Sequence, residues 1–373
     1  MSVWQRFKKY LRSEDKRFVT YPPGVTPREK DTLTAIRELS RAVMSSPDTV
    51  EIYMALGNLY RARGDVERAV QIRESLLIRP ELSAHFKGQI QFELGQDYRR
   101  AGLLDRALVA YLEAQRLGVA ARLINGELAA LYAGAGEWEK ACEFFSALGH
   151  KVAEAHFMVR QGLDILSKDR RDVKKAVKIF EKAIKVYPAS IEAWHALLAE
   201  QMRSEKWTLA AKTLGMALER IPAEKSFMLF EEILHCKTEN LEQRQDQAAF
   251  QSRTTEAFIP VLGRRPPELF PNFYGAVLLK RSGRLEEAEQ WLDKALVMQP
   301  DFWHGRLLHL SLLRQKEAPP PLLEADLDFF LAQSGQVKYF VCSACGLNRE
   351  QLFYCCQRCN SWHSAIYKFT IYD

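Results

Sequence analysis

The chain has 373 residues, with 53 basic and 47 acidic side chains and a formal net charge of +6. At 47% apolar and 27% charged it has the composition of a soluble protein long enough for two cores or one repeat array. Charges so evenly balanced argue against a nucleic-acid binder, and no run reaches the ~18 apolar residues of a membrane span, so a cytoplasmic location is expected.

The chain opens on a basic amphipathic segment, residues 1–25. Trp4, Phe7, Tyr10 and Leu11 share one helical face between Arg6, Lys8, Lys9, Arg12, Lys16 and Arg17. Residues 1–18 are suited to resting peripherally on an anionic membrane surface, the alternatives being a frayed tail or a helix capping the repeats. Pro22, Pro23 and Gly24 break the chain, and Thr26 before Pro27 reads as a helix N-cap.

Residues 26–316 carry a repeat. Ala35, Leu39, Ala42 and Pro47 stand at steps of 4, 7 and 12, and the same steps recur at Ala176, Phe180, Ala183 and Pro188, at Ala210, Leu214, Ala217 and Pro222, and at Ala288, Leu292, Ala295 and Pro300. Ala176 to Ala210 is 34 residues, the length of a helix-turn-helix repeat. The alanines let two helices approach, the larger apolar residue fills the groove between them, and proline stops the second helix. Gly57, Tyr60 and Gly64, then Gly95, Tyr98 and Gly102, then Ala129, Tyr132 and Gly136 supply the other half of the pattern. Units are expected near 49–82, 85–119, 121–150, 153–188, 190–222 and 270–300. The pattern degrades in 224–267, where the apolar stretch Phe227–Leu234 precedes a polar run from Lys237 to Gln247. Phe250, Ala257, Phe258 and Val261 still fit a second helix, giving one divergent unit, with a hinge as the alternative. Asp301–Arg314 reads as a last helix. A connecting segment, 317–338, then begins with Pro319, Pro320 and Pro321 and includes a short apolar helix over Leu322–Leu331.

These small, aromatic and proline positions resemble the tetratricopeptide repeat family over roughly residues 30–316. The resemblance implies an all-α superhelix (solenoid) of helical hairpins that binds proteins on its concave face. Projecting the register puts Asn58, Arg61, Gln96, Arg99, Arg100, His195, Met202, Arg203, Lys280 and Arg281 on the inner helices. A groove so lined suits an acidic segment or a C-terminal carboxylate, with a solvated charge as the plainer reading of each residue.

Five of the seven cysteines fall between Cys342 and Cys359. Cys342 and Cys345 form one Cys-x-x-Cys, and Cys356 and Cys359 another after ten intervening residues. Each pair can wrap a tight turn around one side of a tetrahedral ion, and four thiolates leave no open position, so a structural zinc is expected, with iron as the alternative. Gly346 and Asn360 suit the left-handed residue that closes each turn. Cys355 and His363 are competing ligands. Iron in an all-sulfur site would open an electron-transfer role, and a zinc ribbon a nucleic-acid role, although Lys338, Arg349, Arg358 and Lys368 are sparse for the latter. No phosphate loop, His-Glu-x-x-His or Gly-x-Ser-x-Gly is seen in a fitting context, so no catalysis is expected.

Residues 339–373, with Tyr339-Phe-Val-Cys-Ser-Ala-Cys-Gly and Phe353-Tyr-Cys-Cys-Gln-Arg-Cys-Asn-Ser-Trp362, resemble the rubredoxin-like module that ends the lipopolysaccharide assembly protein B family. That family also joins a tetratricopeptide array to such a module. The resemblance implies metal ligands at Cys342, Cys345, Cys356 and Cys359, with Trp362 as the family's tryptophan. It implies a noncatalytic adaptor in the regulation of lipopolysaccharide biosynthesis, on the cytoplasmic side of the inner membrane. Its implied partners are the enzyme committing precursors to lipid A and a membrane-bound protease. The family's transmembrane anchor has no counterpart in the basic amphipathic start of this chain.

Overall fold

The computed structural model describes residues 29–45, 49–235, 244–316 and 340–367. The segment 1–25, the cap at Thr26 and the connecting segment 317–338 lie outside the described residues.

Helix α1 (Glu29–Ser45) leads into seven antiparallel pairs. They are α2 (Val50–Arg63) with α3 (Val66–Leu77), α4 (Ala84–Arg100) with α5 (Leu104–Arg116), α6 (Ala121–Gly134) with α7 (Trp138–Ala147), and α8 (Lys151–Lys168) with α9 (Val173–Val186). There follow α10 (Ile191–Arg203) with α11 (Trp207–Arg220), α12 (Ser226–Leu234) with α13 (Arg244–Gly263), and α14 (Leu269–Arg281) with α15 (Leu285–Met298); α16 (Trp303–Lys316) closes the array. The first helices of successive pairs touch one another, as α8, α10, α12, α14 and α16 do, and form an inner layer. This is an all-α array of helical hairpins with a small module at its C-terminal end.

The alanines of the repeat explain the close pairing. Ala69, Ala107, Ala141, Ala176, Ala210 and Ala288 are all fully buried at the helix crossings. Opposite them the first helix is stripped to glycine where a ring presses in: a Cβ on Gly95 would lie 2.6 Å from the Tyr111 ring, and one on Gly275 2.5 Å from the Trp291 ring. Either substitution would force the ring or the backbone to move. The turns between helices need one left-handed residue. Gly102 supplies it at φ 77°, with its N–H donating to Arg99 O and the next N–H to Tyr98 O. In the α10–α11 turn the same pair of bonds closes around Glu205, a non-glycine residue at φ 55°.

Four residues beyond each buried alanine stands the side chain that fills the groove, and here one unit departs from the apolar pattern. Tyr111, Phe180, Leu214 and Leu292 fill it in their units, whereas α3 places Arg73 there, fully buried. Gly57 makes room for its guanidinium. Arg73 Nε donates to Asp97 Oδ2 at 2.5 Å and Nη2 to Asn58 Oδ1 at 2.6 Å, so a charged tie replaces an apolar plug between the first two units.

The divergent stretch keeps the layering. Helix α12 lies in the inner layer against α10 and α14, and α13 packs between α11 and α14. Beyond the array, β1 (Phe340–Cys342), β2 (Asn348–Arg349) and β3 (Ala365–Tyr367) form an antiparallel sheet in the order β2-β1-β3. Phe340 pairs with Arg349 on one side and Tyr367 on the other. The apolar side chains of this sheet join the same core as Phe227, Phe270 and Phe302 of the array.

Candidate metal centre

Each cysteine pair sits in a turn of one design. In the first, Gly346 N–H donates to Cys342 O at 2.9 Å with Gly346 at φ 70°; in the second, Asn360 N–H donates to Cys356 O at 2.8 Å with Asn360 at φ 55°. Cys342 N–H is held by Leu347 O and Cys356 N–H by Ser361 O. The two turns face each other. The Sγ atoms of Cys342 and Cys359, and those of Cys345 and Cys356, are 3.6 Å apart, and all four lie within 4.8 Å of one another. A tetrahedral ion with ~2.3 Å bonds to sulfur needs sulfur–sulfur separations of about 3.8 Å, so the cage has the size such an ion requires.

The protonation chemistry points the same way. Burial pushes the Cys345 thiol up to about 12, with its three cysteine neighbours adding to the rise. Burial acts on Cys342 in the same direction, but the Ser364 hydroxyl and the backbone N–H groups of Ala344 and Cys345 outweigh it and bring that thiol to about 6. Four sulfurs this close do not all carry charge unless a cation lies among them. Of the competing ligands, Cys355 stands outside the cage, its thiol pushed up to about 11 by burial and by the neighbouring sulfurs. His363 turns the other way, its Nε2 3.1 Å from Glu192 Oε2 on α10.

That contact opens a docking surface that no spacing in the sequence announces. Glu192 is buried and also accepts from His156 Nδ1 of α8 at 3.1 Å, so one carboxylate joins two inner helices to the module. Burial alone would raise its pKa; the hydrogen bonds and charges of His156 and His363 outweigh burial and hold it at about 2. Lys225 Nζ donates to His363 O at 2.8 Å and Ala365 O at 2.9 Å, and Tyr354 Oη to Glu232 Oε1 at 2.8 Å. Trp362 lies edge-on to His156 and to Phe157, with ring centroids 5.0 and 6.1 Å away. On the other flank Phe227 stacks on Phe340 at 5.8 Å, and Tyr367 lies among Phe227, Phe270, Phe302 and His304. Histidines scattered singly along the sequence thus converge in part: His150, His156 and His363 all lie beside Trp362 or the Tyr187–Glu192 turn.

The residues projected onto the groove are mostly engaged within the chain. Arg61 binds Glu93 at 2.6 Å and Asp97 at 3.0 Å, and Asn58 accepts from both Arg61 and Arg73. Gln96 donates to Glu127 at 2.9 Å, and Arg99 lies 3.2 Å from the same carboxylate with 42% of its side chain exposed. His195 is 3.8 Å from Glu232, Arg203 pairs with Glu200, Lys280 with Ser311, and Arg281 donates to Leu234 O at 3.1 Å. Met202 is buried. Arg99 and Arg100 remain exposed on α4.

Hairpin array and cysteine cage together define a tetratricopeptide-type helical-hairpin fold with a C-terminal four-cysteine module. A sequence profile described as "Tetratricopeptide repeat" matches residues 52–83. Along most of its length the chain is similar to lipopolysaccharide assembly protein B of Escherichia coli (strain K12), at 24% identity over 330 residues covering 84% of this chain and 80% of that protein. Its similarity to the Haemophilus influenzae protein of the same name is 24% over 329 residues, covering 86% and 80%. Among solved structures, a tetratricopeptide repeat protein from Parabacteroides merdae aligns over 75% of this chain and 98% of that chain, at 18% identity and a TM-score of 0.33. Among the described residues no helix is long and apolar enough to cross a membrane.

Proposed function

We propose that this protein is a noncatalytic adaptor that regulates lipopolysaccharide biosynthesis at the cytoplasmic side of the inner membrane, with a zinc ion held by Cys342, Cys345, Cys356 and Cys359 in a rubredoxin-like module. The relatives named for lipopolysaccharide assembly support the pathway. The observation that carries the adaptor reading is the division of the inner layer. The module's hydrogen bonds and ring contacts with the array run from His150 to His304, over the stretch from α8 to α16. Helix α4, ahead of that stretch, carries Arg99 and Arg100, both exposed, with Arg99 also 3.2 Å from Glu127; they suit an acidic partner segment.

Arg61 is a poor place to test this, because it holds Asp97 and Glu93 inside the fold. Arg99→Gln with Arg100→Gln leaves that network intact and gives up only the part-exposed pair of Arg99 with Glu127. Affinity capture from membranes of the source cell with the wild-type chain is expected to recover a membrane-bound protease or the enzyme that commits precursors to lipid A. The double variant is expected to lower recovery about tenfold or more, the effect of losing a charge-assisted contact. Recovery of neither protein by the wild type would contradict the pathway. Equal recovery by both chains would contradict the groove.

A further inference from the structure

We propose that ion binding by the cysteine cage and docking of the module onto the array are one linked equilibrium, so that loading the cage sets the rigidity of the repeats from α8 to α16, with Glu192, Lys225 and Phe227 as positioning residues on the array side.

The module is too small to hold itself together. Its described residues, 340–367, fall below the ~40 residues under which a domain needs a metal, a disulfide or a partner. Its larger apolar side chains serve the array as much as the module. Phe340 and Tyr367, on the strands that flank the cage, are buried against Phe227, Phe270 and Phe302. One wall of the module's core is therefore the array, and the other is the cage.

The two walls are joined through very few bonds. The second cysteine turn runs directly from Cys359 through Asn360 and Ser361 into Trp362 and His363, the residues seated on α8 and α10. Asn360 and His363 both hold left-handed backbone, at φ 55° and 48°; asparagine tolerates it, whereas His363 is kept there by the bonds around it. His363 N–H donates to Tyr354 O at 2.7 Å, and Cys356 N–H to Ser361 O at 2.9 Å, so the ligand turn and the docking turn share one hydrogen-bonded frame. From the array, Lys225 grips that frame at His363 O and Ala365 O, and its ammonium acts electrostatically on Cys342. A cage of four thiolates around a divalent ion keeps net negative charge, which this cation favours.

The consequence runs both ways. A repeat array transmits order only between neighbouring units, whereas the module touches α8, α10, α12, α14 and α16 together and is a non-local tie across them. Opening the cage releases Trp362 and His363 and with them that tie. By linkage, the factor by which the ion tightens docking is the factor by which docking tightens ion binding, so a change that weakens docking weakens ion binding by up to its own size.

The test uses the full chain and zinc itself, titrated against a chromophoric chelator. Glu192→Gln and Lys225→Met are each expected to weaken zinc binding about 5-fold or more, the lower end of ordinary coupling between sites. Arg284→Gln, which breaks only the exposed pair with Glu287, is expected to leave it unchanged. Hydrogen exchange adds a second readout. Zinc removal is expected to speed exchange in residues 151–168, 191–203 and 226–234 and to leave 50–63 and 84–100 as they were. Should Lys225→Met fail to fold, Tyr354→Phe deletes only the hydroxyl bonded to Glu232 and is expected to act in the same direction. Wild-type zinc affinity in the docking variants, or exchange in α8 and α10 indifferent to zinc, overturns the linkage. A wild-type chain that takes up no zinc contradicts the cage instead, which separates the two failures.

Discussion

Arg73→Met is expected to cost the first two repeat units about 3–5 kcal/mol, the usual penalty for removing one partner of a buried ion pair. Arg73 and Asp97 are both fully buried, and burial is the largest influence on Asp97, raising its pKa even against the charges of Arg73 and Arg61. Without Arg73 the carboxylate keeps only Arg61, and Asn58 loses one of its two donors. Methionine fits the length of the slot beside Gly57 but brings no donor. Because repeat units couple mainly to their neighbours, the loss should be local. Native-state hydrogen exchange is expected to show lowered protection in α2 to α5 and unchanged protection in α14 and α15. A second substitution, Asp97→Leu, should restore part of the loss, since an apolar pair needs no counter-charge. Wild-type protection in the Arg73→Met chain would mean that this tie carries no stability.

Glu192 gives the second large effect, and its sign is set by pH. Its folded pKa is about 2 against an ordinary 4.5, lowered by His156 and His363 in spite of burial. A depressed carboxylate contributes stability that is fully present above the unfolded value and is lost as pH falls through the folded one. The window is therefore pH 4.5 down to about 2, and a difference of that size corresponds to about 3 kcal/mol. Urea unfolding followed by tryptophan fluorescence should show wild type more stable than Glu192→Gln at pH 5 and the two converging as pH approaches 2. Acid release of the cage's ion enters this difference too, because Glu192→Gln is itself expected to weaken ion binding, so zinc release is followed in parallel with unfolding in both chains. A gap that stays constant across this range would assign the residue a packing role only.

The parts of this molecule that are legible in its sequence are those written at fixed spacing. Alanines at steps of 4 and 7 must be small wherever two helices cross, so the hairpins can be read without any long-range information. The two-residue spacers between cysteines are likewise dictated by the turn that closes on an ion, and those four sulfurs are the ones that converge. Arg73 is not legible, because a charge in the groove-filling position looks like a solvated surface residue until Asp97 of the next unit is seen beneath it. The docking surface is hidden for another reason. Glu192 and His363 are 171 positions apart, and neither belongs to a period or motif. Arg61, Arg203, Lys280 and Arg281 do lie on inner helices but only look free in the sequence; in the folded chain Arg61, Lys280 and Arg281 tie one inner helix to the next, and Arg203 pairs with Glu200 of its own helix.

In the proposed linkage the module's shape and its seat on the array both depend on four sulfurs closing on one ion. X-ray absorption at the zinc edge of the purified full chain addresses that directly: the expected first shell is four sulfurs at ~2.3 Å with no lighter ligand. A shell containing nitrogen or oxygen would bring His363 or water into the cage, break the contact with Glu192 and contradict a closed all-sulfur site.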